Sequence, residues 1–248
     1  MPTISFPDGS KKIFKSSVSP LSIAEGISNS LKKKAVIAKV NGEFWDLNRE
    51  ISDDSAVSIL RREDKETLEI LRHDCAHILA EAVLEIYPKT QVTIGPVIEN
   101  GFYYDFYREE PFSLEDLVVI EKRMHEIVDR NEGIDREVWS RSDAIKFYKD
   151  KNEPFKVELV NDIPKNQELT FYTQGDFIDL CRGPHLRSTL DTGHAFKLMS
   201  VAGAYWRGDS KNPMLQRIYG TAWTTDKELN QYLLMIEEAE KRDHRKIG

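Results

Sequence analysis

The sequence predicts an α+β chain built in two parts. Three features carry this reading: two hairpin turn signals within the first 62 residues, later segments with apolar residues at helical spacing, and short apolar runs bounded by turn residues. A chain of 248 residues is long enough for one large domain or two ordinary ones.

Residues 1–62 read as a small module. "TISF" and "KKIF" flank "PDGS", a hairpin turn. "SPLSIAEGISNSL" opens on a serine and places Leu21, Ile23, Ala24, Ile27 and Leu31 on one helical face. "AVIAKV" and "EFWDL" flank "NG", a second hairpin turn, and "AVSIL" is a last strand. Hairpin, helix, hairpin and strand in this order predict a β-grasp (ubiquitin-like) fold.

Beyond "RREDKETLE", the stretch "RHDCAHILAEAV" places His73 and His77 four residues apart in a helix, one above the other. On a helical wheel the pair is about 40° apart, beside Ile70, Ala80 and Leu84, and Asp74, Glu81 and Glu85 form a narrow charged stripe. The rest is apolar, so the helix should be mostly buried. Cys75 falls on the opposite side, as a core thiol, and a Cys75–Cys181 bridge is not expected. Residues 113–133 read as a helix with a serine cap and a glycine stop, and "SDAIKFYKDK" as a shorter one. "FKVELV", "ELTFYT" and "DFIDLC" read as strands, with "TQGD" turning the second into the third. Thr225 and Glu228 form a capping box that opens a final helix with an apolar stripe of Leu229, Tyr232, Leu233 and Ile236.

In "DFIDLCRGPHL", alternation puts Asp179 and Cys181 on one strand face and Ile178 and Leu180 on the other, and His185 follows the "RGP" break. His73, His77, Cys181 and His185 make a plausible tetrahedral zinc set. They are equally plausible acid–base groups without a metal. Two buried histidines can also be satisfied core residues. His125, His194 and His244 have no such company and read as ordinary.

Composition narrows the class. Hydrophobic content of 40% and charged content of 31% fit a globular chain. There is no apolar run of membrane-spanning length, no signal peptide and no disulfide framework, which together predict a cytoplasmic protein with no membrane partner. Net charge is −7, with +3 in residues 1–62, −13 in 63–180 and +4 in 181–224. Such a chain does not coat nucleic acid, and DNA is not expected as a partner. One short anionic ligand could approach 181–224.

"RHDCAHILAEAVLEIYP", "IGPVIENGFYYDF", "DFIDLCRGPHL", "FKLMSVAGAYWRGDSKNPMLQRIYGTAW" and "EEAEKRDHRKIG" resemble, in this order, the N-terminal half of bacterial threonyl-tRNA synthetases. The resemblance implies a TGS domain at 1–62, an editing domain of antiparallel sheet plus helices at 63–224, and at 225–248 a linker helix toward an absent class II catalytic domain. The implied reaction is hydrolysis of Ser-tRNA(Thr), the tRNA 3′ end carrying serine. His73 would transfer a proton, His77 and His185 would orient ester or water, Asp179 would hold the serine ammonium or hydroxyl, and Lys156 would offset charge at the ester. Cys181 would be base-like or a small polar wall. Gly95, Tyr104 and Arg207 would line the substrate site. The resemblance implies no tightly bound metal and no cofactor here, with ATP, Mg and a catalytic-domain Zn confined to the full-length enzyme. It also implies a monomeric fragment of a homodimeric enzyme. The rival readings are a zinc hydrolase of another aminoacyl ester and a non-catalytic tRNA- or partner-binding module.

Overall fold

The computed structural model describes residues 1–247. The first module contains β1 (Thr3–Ser5), β2 (Lys11–Ile13), α1 (Pro20–Ile27), α2 (Asn29–Lys34), β3 (Ala35–Val40), β4 (Glu43–Trp45) and β5 (Ser55–Arg61). Its sheet runs β2-β1-β5-β3-β4, with β1 and β5 parallel and the other pairs antiparallel, which is the predicted β-grasp. Asn41 and Gly42 both have positive φ, as a two-residue hairpin turn requires. The single predicted helix is two: Ser28 ends α1 and its side chain caps α2 by accepting from Leu31 N–H. Ile4, Val18, Ile23, Val40, Ile51 and Val57 form one core of the module. Val36 and Ile37 on β3 belong instead to the main core, with Leu71 and Cys75 of the next helix.

That helix is α3 (Thr67–Ile86), followed by β6 (Gln91–Val92), β7 (Val97–Ile98), β8 (Gly101–Tyr107), α4 (Leu114–Asp129), β9 (Ile134–Trp139), α5 (Arg141–Asp150) and α6 (Pro154–Asp162). Then come β10 (Leu169–Gln174), β11 (Phe177–Leu180), α7 (Thr189–Thr192), β12 (Phe196–Tyr205), β13 (Met214–Ala222) and α8 (Asp226–Ile247). One antiparallel sheet runs β12-β13-β8-β6 with β7 on β8, and a second runs β11-β10-β9. The buried faces of α3 and α4 pack with Phe102, Tyr104 and Phe106 of β8 in the main core. Ala144, Tyr148, Val160, Leu169 and Phe171 form a smaller core of α5 and α6 on the second sheet.

"FKVELV" is not a strand. Pro154 starts a helix there, since its fixed φ and missing N–H suit the first turn, and Phe155, Lys156 and Val160 are buried. Of the charged stripe of α3, Asp74 and Glu81 are buried and Glu85 is exposed. At the junction, Arg62 donates to the carbonyls of Asp191, Thr192 and Thr224, fastening the end of β5 to the larger part. Thr225 and Glu228 exchange the hydrogen bonds of a capping box at the start of α8. Among the described residues no helix is long and apolar enough to cross a membrane.

Glu81 accepts from Gln174 Nε2 at 2.8 Å, and burial beside Glu132 pushes its carboxyl up to about 9. The folded chain therefore keeps a proton that the unfolded chain releases above about 4.5, so stability should fall as pH rises from 5 to 9. Glu81→Gln keeps the acceptor and removes the ionisation. Urea midpoints across this range should decline less steeply in the variant, and parallel curves would refute the assignment.

Candidate active site

Three elements bring the predicted residues together. Helical spacing on α3 projects His73 and His77 toward the end of β11. Asp179 lies on the buried face of that strand, Ile178 and Leu180 pack with the smaller core on the other, and Cys181 continues the inward register. His185 returns on the loop beyond. The rings of His73, His77 and His185 are mutual neighbours, with centroids 4.8, 4.6 and 4.4 Å apart. Cys181 Sγ lies 3.0 Å from His73 Nε2. His77, Lys156, Asp179 and His185 are buried, whereas His73 and Cys181 keep partial exposure and mark the open side.

Asp179 is the hub. Oδ1 faces Lys156 Nζ at 2.5 Å and accepts from Tyr148 Oη at 3.2 Å. Oδ2 accepts from Tyr104 Oη at 3.1 Å, with His77 Nε2 at 3.9 Å. A carboxylate offers about four lone-pair directions, so one on Oδ2 stays free. Gly95 is required beside this hub, because a Cβ there would collide with the Tyr104 ring.

Burial holds the imidazoles neutral. It lowers His73 and His185 to about 4, and for His73 the neighbouring His185 acts in the same direction. It lowers His77 as well, assisted by His185, His73 and Lys156. Burial pushes the Cys181 thiol up to about 12, so it stays protonated at neutral pH beside His73 Nε2, and its Sγ accepts from Gly183 N–H at 3.2 Å. His185 Nδ1 lies 2.7 Å from Asp74 Oδ1, and Asp74 Oδ2 accepts from Leu186 N–H at 3.1 Å. Burial pushes the Asp74 carboxyl well above the usual carboxylate range, against the pull of His73 and the Leu186 N–H; in its ionised form it would hold the single ring hydrogen of His185 on Nδ1 and leave Nε2 as an acceptor. That Nε2 is buried and without a hydrogen-bond partner.

The ligand atoms of His73, His77, Cys181 and His185 lie within 4.8 Å of one another. Three imidazoles and a thiol, one imidazole nitrogen unpartnered, fit a tetrahedral zinc ion. The same groups fit proton transfer, since neutral imidazoles can accept protons at neutral pH.

Residues 169–219 match the threonyl and alanyl tRNA synthetase second additional domain, and residues 2–61 match the TGS domain. The chain joins these two domains. It is 57% identical over 246 residues to the threonine–tRNA ligase of Bartonella quintana, covering 99% of this chain and 37% of that protein. It is 58% identical over 246 residues to that of Chelativorans sp., covering 99% and 38%. Against the Rickettsia akari ligase it is 57% identical over 248 residues, covering 100% and 39%. The chain thus spans a little over a third of the length of the threonine–tRNA ligases it matches.

Of the expected site residues, His73, His77, Lys156, Asp179, Cys181, His185 and Tyr104 converge, with Gly95 against Tyr104. Arg207 does not join them. Its guanidinium pairs with Asp162 and Glu158 on α6, while Trp206 packs on Phe155. His125 and His194 contact each other at 2.7 Å near Asp129, apart from the cluster. Sequence reasoning missed Asp74 and Tyr148. Only the unusual placement of an aspartate on an otherwise buried helix signalled the first. Tyr148, 31 residues from Asp179, carried no local signal.

Asp74→Ala leaves two buried N–H groups without an acceptor, at roughly 1–3 kcal/mol each. Urea denaturation should show a loss of that order at pH 7. A change below about 0.5 kcal/mol would mean that Asp74 does not hold His185.

Proposed function

We propose that this chain is the proofreading region of a threonine–tRNA ligase, hydrolysing the seryl ester of mischarged Ser-tRNA(Thr) in the cytoplasm. On this reading residues 1–62 form the TGS domain, 63–224 the editing domain and 225–248 the linker toward the catalytic domain, with Asp226–Ile247 as its helix. The observation that carries it is a buried carboxylate with one free acceptor direction, set beside three neutral imidazoles that open to solvent through His73 and Cys181.

The chemical need is plain. A site sized for threonine admits serine, and one missing methylene is worth only about 1–3 kcal/mol, a figure for which aminoacyl-tRNA synthetases are themselves the source. A second site that accepts only the smaller ester supplies the rest. The free direction on Asp179 Oδ2 suits the serine ammonium. His73, at the open side, suits proton transfer to or from water or the ribose hydroxyl. His77 and His185 Nε2 suit orientation of water. Water adds to the ester carbonyl, the carbonyl–ribose bond breaks, and the ribose oxygen takes a proton, releasing serine and uncharged tRNA. Lys156 acts through Asp179: its ammonium holds the carboxylate in place rather than facing the ester directly.

The His₃Cys donor set favours a second reading, a zinc-dependent hydrolase. His73, His77, Cys181 and His185 would hold the ion, which when bound would supply Lewis acidity to water or carbonyl.

Incubation with Ser-tRNA(Thr) and Thr-tRNA(Thr) tests the proposal. The seryl ester should be cleaved selectively, without stoichiometric zinc, and His73→Ala should lower the rate at least about 100-fold. Cleavage of both esters alike, or of neither by folded protein, would contradict it, the latter pointing to a binding module. Stoichiometric zinc lost together with activity would favour the metal reading.

A further inference from the structure

We infer that Asp46, in the TGS domain, is a positioning residue for His185, so that the first module is a working part of the hydrolytic site. This rests on the function proposed above. Asp46 follows β4. Its Oδ1 accepts from the backbone N–H of His185 at 3.1 Å, and its Oδ2 accepts from Tyr172 Oη at 2.8 Å. The Tyr172 ring packs against the His185 ring, with centroids 4.4 Å apart. Gly183, at φ +64, makes room for it, since a Cβ there would collide with the Tyr172 hydroxyl. His185 is thus held at its ring edge by Asp74, at its ring face by Tyr172 and at its main chain by Asp46. The first two supports lie in the larger part of the chain and the third lies in the module.

The module is in turn fixed against the larger part. Val36 and Ile37 of β3 share the core of α3, the helix that carries His73 and His77. Arg187 Nη1 donates to the Lys32 carbonyl at 2.9 Å, one more tie beside His185. A cleft of about 260 Å³ is lined by the loop at Asp46–Glu50 and by residues 134–136 and 185–187, and the Asp46 contacts bridge its two sides. Loss of the Asp46 contacts would free His185 Nε2 to move relative to His73 and His77 while the packing of β3 on α3 keeps the two helix-borne rings in place. Substrate affinity, set at Asp179, would be spared while turnover fell.

The test uses the whole chain and four variants. Asp46→Ala removes both acceptors. Asp46→Asn keeps an oxygen for His185 N–H and offers an N–H₂ to the Tyr172 oxygen, so it should rescue. Tyr172→Phe removes one of the two bonds. Asp54→Ala is the control: Asp54 caps Thr3 N–H at 2.7 Å on the same module, away from the site. Asp46→Ala should lower kcat on Ser-tRNA(Thr) about tenfold with KM within about twofold, and should displace the backbone and imidazole ¹⁵N signals of His185. Tyr172→Phe should fall between, and Asp46→Asn and Asp54→Ala should stay near the parent chain. An unchanged kcat in Asp46→Ala, or an equal fall in Asp54→Ala, would overturn the inference. Should the parent chain cleave neither ester, the hydrolytic reading fails, and the His185 signals alone decide the positioning claim: displaced in Asp46→Ala they uphold it, unmoved they overturn it.

Discussion

A carboxylate sealed inside a protein must be met by donors, and Asp179 sets that demand for the whole site. Removing an ion from water costs several kcal/mol even after relaxation, whereas each hydrogen bond to a charged group returns about 1.5–3 kcal/mol. One donor would not suffice. Asp179 has three: Lys156 from α6, Tyr148 from α5 and Tyr104 from β8. The two tyrosines also fill apolar cores, Tyr104 under the large sheet and Tyr148 on the small one. The electrostatic demand of one residue therefore ties the packing of both sheets together. The site is complete only when the two have closed on each other.

The imidazoles follow the opposite logic. Burial keeps them uncharged, so they can serve as proton acceptors near neutral pH, with only His73 partly exposed. The Lys156–Asp179 pair acts on them unevenly: Lys156 disfavours a proton on His77, whereas Asp179 favours one on His73 and His185, and burial outweighs both. Within the site the buried atom without a partner is the Nε2 of His185, and counting lone pairs adds one direction on Asp179 Oδ2 that Tyr104 does not use. These are the places where a ligand's polar groups can be accepted at no cost to the protein's own hydrogen bonds.

Much of this was legible in the sequence, and the limits have physical causes. Helical spacing placed His73 and His77 together, and strand alternation placed Asp179 and Cys181 on one face, because both are local periodicities. The β-grasp followed from turn residues whose backbone demands are equally local. Lys156 is signalled only by family resemblance, and the alternation of "FKVELV" suggests a strand, whereas Pro154 starts a helix there. Asp74 fell in a charged stripe, and a helical wheel does not distinguish water from a second protein layer that supplies donors. β8 is buried on both faces and β12 runs through "SVAGAY", so neither shows clean alternation. Asp46 lies 139 residues from His185, a distance at which no sequence period reports contact. Arg207 was a reasonable anion-binding candidate from local charge, but the carboxylates of α6 claim it.

The most direct test of the central claim is a crystal structure of the chain with a non-hydrolysable seryl amide of 3′-amino-adenosine. The serine ammonium should lie within hydrogen-bonding distance of Asp179 Oδ2, its carbonyl beside His73, and the Lys156 and tyrosine contacts should be unbroken. An ammonium held elsewhere, or a ligand that leaves the histidine cluster untouched, would contradict the account.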